Sequence, residues 1–366
     1  MTPGIVDRAG RATQTRRLLA QKAQVDGLLI SDLMNVQWLT GLASSNAAAL
    51  VTDRRVRVVT DSRYAQQALC LDPGIDVSVD RAVLSRAVAL AAQDGAVSLG
   101  IEAESLTVAM FATLQAVATA QGMQLVGVSG VIEELRATKD KAEVDALTAA
   151  SEASTAALRA LLPTIEVGMT EIEVARRLEL EMGRCGGEDR AFPSIVASGP
   201  NSAIPHHMPG SRRVEAGDFL KIDFGAMCRG YHADCTRTFI VAGTPDRRQS
   251  VVYDAVQASA AAARAALRPG IEVAELDRIA RCVLADAGFA ELFTHGLGHG
   301  VGLQIHESPL IAASAAGTIP EGAVVTIEPG VYLPGEFGVR IEDTCQVTAS
   351  GVTVLTDFPR ELTRIA

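Results

Sequence analysis

The segment FLKIDFGAMCRGYHADCTRTF, residues 219–239, limits the folds open to this chain more than any other stretch. Two strand-like runs flank Arg229-Gly230, which reads as a tight turn. If the turn has two residues, Cys228 pairs with Tyr231, and counting back sets Gly225 opposite Asp234. Side chains alternate faces along a strand, so Asp223 shares a face with Asp234 and lies diagonal to it. Two carboxylates at close range on one sheet face repel unless something compensates them, and a cation is the simplest compensation. Standing alone, the hairpin would more readily read as carrying two solvated aspartates.

Other segments add to the acidic pair. THGLGHGVGLQIHESP, residues 294–309, holds His295, His299 and His306, half of the six histidines, among glycines that let backbone crowd a site. VVTIEPGVYL, residues 324–333, places Glu328 at the end of a buried-looking strand. FGVRIEDTCQV, residues 337–347, places Glu342 inside another strand, with Arg340 two residues earlier on the same face. Singly, Glu328 reads as a turn cap and Glu342 as half of a salt bridge, since an unpaired buried carboxylate costs several kcal/mol. Together, four carboxylates and one imidazole make a hard, oxygen-rich site that suits Mn²⁺, and after it Co²⁺, Fe²⁺ or Zn²⁺. Four carboxylates balance two divalent cations; without them, each pair about 4 Å apart would repel by up to ~4 kcal/mol at an effective dielectric of 20.

At 366 residues the chain is too long for one ordinary core, and two domains are expected, residues 1–135 and 136–366. The first alternates strands (27–30, 47–52, 56–60, 75–79, 97–101) with helices (82–93, 107–121), predicting a mixed sheet covered by helices and no catalytic cluster. In the second, helices are expected over 141–162, 170–184, 250–267 and 273–287, with Pro163 stopping the first. Between them lie strands rich in Gly, Asp, Glu and His, a pattern that two related halves of helices plus strands would produce, and the class overall is α+β.

A net charge of −10 argues against a nucleic-acid binder. Arg8, Arg11, Arg16 and Arg17 are expected on the polar face of a first helix, with no signal peptide or membrane-spanning run behind them. The six cysteines form no C-x-x-C pair and no zinc-finger spacing, which fits packed, reduced thiols in a cytoplasm.

In order and approximate spacing these motifs resemble the pita-bread metallopeptidases: prolidase, aminopeptidase P, methionine aminopeptidase and their metal-free relative creatinase. NVQWLTG at 35–41 and TDSRY at 60–64 resemble the creatinase-type N-terminal domain of the prolidase and aminopeptidase P branch. The resemblance implies that Asp223 chelates one metal, that Asp234 and Glu342 bridge both, and that His299 and Glu328 bind the other. VASGPNSAIPHH at 196–207 resembles a loop delivering a catalytic histidine, with His206 the match and His207 a solvent-facing neighbour. His295, His306 and Arg340 match positions around the metals and against the substrate.

The likeness implies cleavage of short peptides before proline by a metal-activated water. Glu328 would accept its proton and pass one to the departing prolyl nitrogen, and His206 or His306 would stabilise the oxyanion. The same resemblance implies a homodimer. Methionine aminopeptidase activity is opposed by the extra N-terminal domain, creatinase-like chemistry by the complete ligand set, and a non-catalytic binding protein would be expected to lose ligands. Dipeptidase is favoured slightly over longer-peptide aminopeptidase; what closes the far end of the cleft decides between them.

Overall fold

The computed structural model describes residues 6–366, and two compact units separate between Arg136 and Ala137. The N-terminal unit runs α1 (Arg8–Lys22), β1 (Gly27–Ile30), α2 (Leu33–Thr40), β2 (Ala47–Thr52), β3 (Val56–Thr60), α3 (Ala65–Ala68), β4 (Ile75–Val79), α4 (Val83–Gln93), β5 (Ser98–Glu102), α5 (Val108–Ala120), β6 (Gln124–Val128) and α6 (Val131–Ala137). Its sheet has the order β4-β3-β2-β1-β5-β6, antiparallel at β1–β2 and β2–β3 and parallel elsewhere. Strands β1 and β2 are buried along their whole length, as runs without apolar–polar alternation require.

The arginines expected on the polar face of a first helix lie on α1, where Arg17 is exposed and the other three are drawn inward. Arg8 and Arg11 donate to the carbonyls of Thr40 and Trp38 at 2.8 and 2.5 Å, and Arg16 to that of Thr52 at 2.7 Å. Thr40 and Trp38 lie in the last turn of α2, whose carbonyls have no partner within the helix, so guanidinium groups close that end. Glu102, at the end of β5, accepts from the N–H groups of Ser31 and Asp32 at 2.6 and 2.7 Å and from Asn35 Nδ2 at 2.7 Å. Burial holds this carboxyl above its ordinary range, and the network ties β5 to the start of α2.

The C-terminal unit runs α7 (Lys141–Leu161), α8 (Glu171–Arg184), β7 (Asp189–Arg190), β8 (Ile195–Ser198), β9 (Phe219–Phe224), β10 (Ala226–Cys228), β11 (Tyr231–His232), β12 (Cys235–Val241), α9 (Arg247–Ala266), α10 (Val273–Asp286), β13 (Gly298–Gly300), β14 (Glu307–Ile311), β15 (Val324–Ile327), β16 (Gly330–Leu333), β17 (Phe337–Arg340), β18 (Asp343–Thr348), β19 (Gly351–Val354) and β20 (Arg364–Ile365). Capping boxes start α7 (Asp140 with Glu143), α8 (Thr170 with Glu173) and α9 (Asp246 with Gln249). The last of these explains why α9 begins three residues before the expected Ser250.

Each half of this unit pairs two helices with a sheet. In the first, Ala150, Ala157 and Leu158 of α7 and Val174 and Leu178 of α8 pack with Ile222 and Phe224 of β9, in the sheet β20-β12-β9-β8. In the second, Val256 of α9 and Leu276 and Leu284 of α10 pack with Val325, Ile327 and Val347, in the sheet β14-β13-β15-β18-β19. Glu342 is not inside a strand as expected. It occupies the break where the chain leaves its β16 partner at Arg340 and joins β15 at Asp343, and its N–H donates to the Thr236 carbonyl of β12 at 3.0 Å. That crossing puts its side chain where the two halves meet. No helix among the described residues is long and apolar enough to cross a membrane.

Candidate metal centre

The hairpin folds in the register expected from its turn: Cys228 pairs with Tyr231, and Asp223 with Thr236. Arg229 and Gly230 both take positive φ, at 54° and 79°, which gives the strand twist its matching two-residue turn. Asp223 and Asp234 are therefore on one face, and both are buried. From the second half come His299 on β13 and Glu328 just beyond β15, while Glu342 enters at the crossing. A Cβ at Gly298 or Gly300 would stand 2.1 Å from the carbonyl oxygen of Thr326 or Ser308, so only glycine on both sides lets the His299 backbone sit this close to its neighbours.

Asp234, His299 and Glu342 each offer one ligand atom, and these atoms lie within 4.8 Å of one another. His299 Nδ1 meets the Gly300 carbonyl at 3.0 Å; as donor there it leaves the Nε2 lone pair facing Asp234 Oδ2 at 3.6 Å and Glu328 Oε1 at 3.4 Å. Burial pushes this imidazole down to about 4, so it is neutral and able to ligate. Burial and the repulsion of Glu342 and Asp223 push Asp234 well up. Glu342 is driven the same way by burial and by Glu328 and Asp223, and Glu328 is pushed up to about 8, mainly by burial. Asp223 stays outside the group of three: its Oδ2 accepts from Arg340 Nη2 at 2.5 Å, while its buried Oδ1 has no hydrogen-bond partner. Acidic groups forced together, an orphaned carboxylate oxygen and an imidazole presenting a lone pair fit a divalent cation.

The remaining site residues divide into occupied and open groups. Arg340, 2% exposed, gives hydrogen bonds to Asp223, to Tyr332 Oη at 2.9 Å, to Thr236 Oγ1 at 3.0 Å and to the Pro205 carbonyl at 3.2 Å. Each nitrogen of this guanidinium thus has a partner within the site. His295 is occupied at both nitrogens, by the Gly296 carbonyl at 2.8 Å and Tyr332 Oη at 2.7 Å, and burial and Arg340 hold it down to about 3. His206 and His306 are exposed. The His306 ring lies edge-on to His299 with centroids 4.4 Å apart, and burial and His206 keep His306 below its ordinary value. His207, expected to face solvent, instead meets buried Glu171 at 2.8 Å with its side chain 15% exposed. An exposed ring cannot satisfy that carboxylate, and the loop turns His207 inward to do so.

Sequence reasoning misses the residues that steady these groups. Thr236 accepts from Arg340 and donates to Glu342 Oε2 at 2.7 Å. Thr326 accepts from the His299 N–H at 3.0 Å and faces Glu328 Oε1 at 3.4 Å. Buried Lys221 donates to the carbonyls of Ser202 and Ile204 at 3.0 and 2.7 Å. Each stands two positions from an acidic site residue (Thr236 from Asp234, Thr326 from Glu328, Lys221 from Asp223), so strand alternation is the signal that could find them. Tyr332 and Glu171 carry no comparable signal.

The fold and this cluster define a candidate divalent-cation centre between two helix-and-sheet halves. The chain belongs to metallopeptidase family M24, whose model matches residues 145–349, and residues 11–138 match the creatinase/prolidase N-terminal domain. It is 34% identical to the uncharacterized peptidase YqhT of Bacillus subtilis over 92% of this chain and 95% of that one. It is 41% identical to an Xaa-Pro dipeptidase of Pyrococcus horikoshii over 74% of this chain and 76% of the relative. Among solved structures, an Xaa-Pro dipeptidase from Bacillus anthracis superposes with a TM-score of 0.93 at 31% identity, covering 98% of this chain and all of the other. The prolidase of Pyrococcus horikoshii superposes at 0.89 with 33% identity, covering 96% and 99%. The fold is thus the pita-bread metallopeptidase fold, preceded along the chain by a creatinase-type N-terminal domain.

Proposed function

We propose that the protein is an Xaa-Pro dipeptidase working with two divalent cations, Mn²⁺ first and Co²⁺, Fe²⁺ or Zn²⁺ as alternatives. Asp223, Asp234, His299, Glu328 and Glu342 would hold them. The observation that carries this reading is the buried Asp223 Oδ1 without a partner beside three carboxyl groups driven up by burial. The Xaa-Pro dipeptidases and prolidases it resembles supply the substrate class. Bound there, such cations supply Lewis acidity and a water that ionises near neutral pH.

The chain's own groups do the rest. Glu328 takes a proton from the attacking water and returns it to the prolyl nitrogen, a tertiary amide that departs only when protonated. His206 and His306, the two open imidazoles, donate to the carbonyl oxygen as negative charge develops on it. Arg340, tied to Asp223, Tyr332 and Thr236, and His295, tied to Tyr332, keep the walls of the site in place. We further take the working form to be a cytoplasmic homodimer. Six free thiols support a reducing compartment, and Val108, Met110 and Phe111 on α5 leave apolar surface exposed.

The test is hydrolysis of Xaa-Pro dipeptides, Xaa-Pro-containing tripeptides and proline-free controls by Mn²⁺-loaded protein. Dipeptides with proline second should be cleaved best and proline-free peptides not at all. Equal cleavage of proline-free peptides would remove the substrate assignment, and a preference for tripeptides would convert the dipeptidase into an aminopeptidase.

A further inference from the structure

The loop from Gly199 to Gly210 carries His206, yet beyond a short 3-10 turn over Gly199–Ala203 it has no regular structure of its own. Backbone polar groups in such a loop need partners. A buried carboxylate and a buried amine provide them. Glu171, the first residue of α8 and 0% exposed, accepts at Oε1 from the Ser198 N–H and Oγ at 2.8 and 2.9 Å and from Asn201 Nδ2 at 2.9 Å. Its Oε2 accepts from His207 Nε2 at 2.8 Å and from the Gly210 N–H at 3.2 Å. One carboxylate thus grips both ends of the loop. Lys221 of β9, also 0% exposed, holds the middle, with its Nζ donating towards the carbonyls of Ser202, Ile204 and Pro205 at 3.0, 2.7 and 3.3 Å. His206 lies between Pro205, whose carbonyl faces Lys221, and His207, which meets Glu171.

We propose that Glu171, acting through His207, is a positioning residue for His206, with Lys221 holding the segment just before it. This rests on the proposed action of His206 on the substrate carbonyl. The Glu171–His207 contact is more than loop packing, because it fixes the residue next to His206 along the chain. A donor to a developing oxyanion loses its value when displaced by a fraction of an ångström, whereas substrate affinity depends on it little.

The test uses the full-length Mn²⁺-loaded protein with Glu171→Gln, His207→Ala, His207→Gln and His206→Ala, and the double variant Glu171→Gln/His206→Ala. Glu171→Gln and His207→Ala should lower kcat on an Xaa-Pro dipeptide at least about tenfold with KM within about twofold and metal content unchanged. His207→Gln, which can still donate to Glu171, should recover most of the loss. The double variant should be no slower than His206→Ala alone, since a residue acting through another adds nothing once that other is gone. Unchanged kcat in His207→Ala, or losses that multiply in the double variant, would overturn the proposal. Should Glu171→Gln fail to fold, His207→Ala combined with His206→Ala decides the same question. A wild-type protein inactive on Xaa-Pro peptides overturns the substrate reading instead. Hydrogen exchange over residues 199–210 then decides the positioning: acceleration in His207→Ala supports it, and exchange equal to wild type overturns it.

Discussion

Arg340 Nη2 stands 2.5 Å from Asp223 Oδ2, and the two side chains are 2% and 9% exposed, so the most acidic part of the site is braced by one buried cation. Burial and Tyr332, Asp223 and Glu328 act on Arg340 in opposite senses, and the acidic neighbours win, holding it fully charged. Removing one member of a buried pair strands the other and costs about 3–5 kcal/mol. Arg340→Met in chelator should therefore unfold at clearly lower urea concentration than wild type. Divalent cations should return much of the difference, because they replace the missing positive charge. Equal urea midpoints in chelator would contradict the bracing role.

Thr236 transmits that brace. Its hydroxyl is buried, accepts from Arg340 Nε and donates to Glu342 Oε2, which orients a carboxylate that offers a ligand atom. Thr236→Val keeps the shape and deletes the relay. Partners of metal ligands typically contribute 10–100-fold in affinity, and Mn²⁺ binding measured by calorimetry should weaken by about that factor. Unaltered affinity would show that Glu342 needs no orientation.

Glu328 sets function against stability. Its carboxyl is pushed up to about 8, mainly by burial, with Asp223 adding repulsion. Glu328→Gln removes a charge that the fold does not want and the proposed chemistry needs. Turnover should fall to background while the chelated protein melts at a higher temperature than wild type at pH 8. A variant that keeps normal turnover would remove Glu328 from the proton transfer.

Beneath Glu342, Asp343 is fully buried and meets Arg237 at 2.8 Å, Arg264 at 2.9 Å and Arg360 at 2.6 Å. Burial alone would raise this carboxyl; Arg237, Arg360 and Arg264 hold it below its ordinary 3.8. A folded value below the unfolded one means that the stabilisation is complete above about pH 3.8 and fades as pH falls through the folded value. Asp343→Asn strands three guanidinium groups and should lose about 3–5 kcal/mol at neutral pH by urea titration. The gap to wild type should close only in strong acid, and a gap that widens there would have the wrong sign.

Much of this architecture is legible in the chain itself. The Arg229-Gly230 turn sets the register of the central hairpin, and a period of two along the strands then places Asp223 and Asp234 together. Proline and capping residues mark several helix boundaries, as at Pro163 and Thr170. Ties between distant segments are what sequence hides. Glu171 and His207 are 36 residues apart, and nothing in either neighbourhood announces the pair. Glu342 reads as a strand residue because strand-forming residues run on both sides of it, from Phe337 to Val347, but strand exchange between β16 and β15 is a tertiary event that local pattern cannot encode. The partners of Arg8, Arg11 and Arg16 are hidden for a related reason: the carbonyls they close belong to another helix and a strand.

The central claim is that one folded unit gathers these acidic groups and His299 to hold two divalent cations that hydrolysis requires. Elemental analysis of dialysed protein, paired with Xaa-Pro dipeptide hydrolysis on the same sample, tests it most directly. Activity should rise with bound Mn²⁺, reach its maximum at two ions per chain, and vanish in chelator. Full turnover from a preparation containing no transition metal would contradict it.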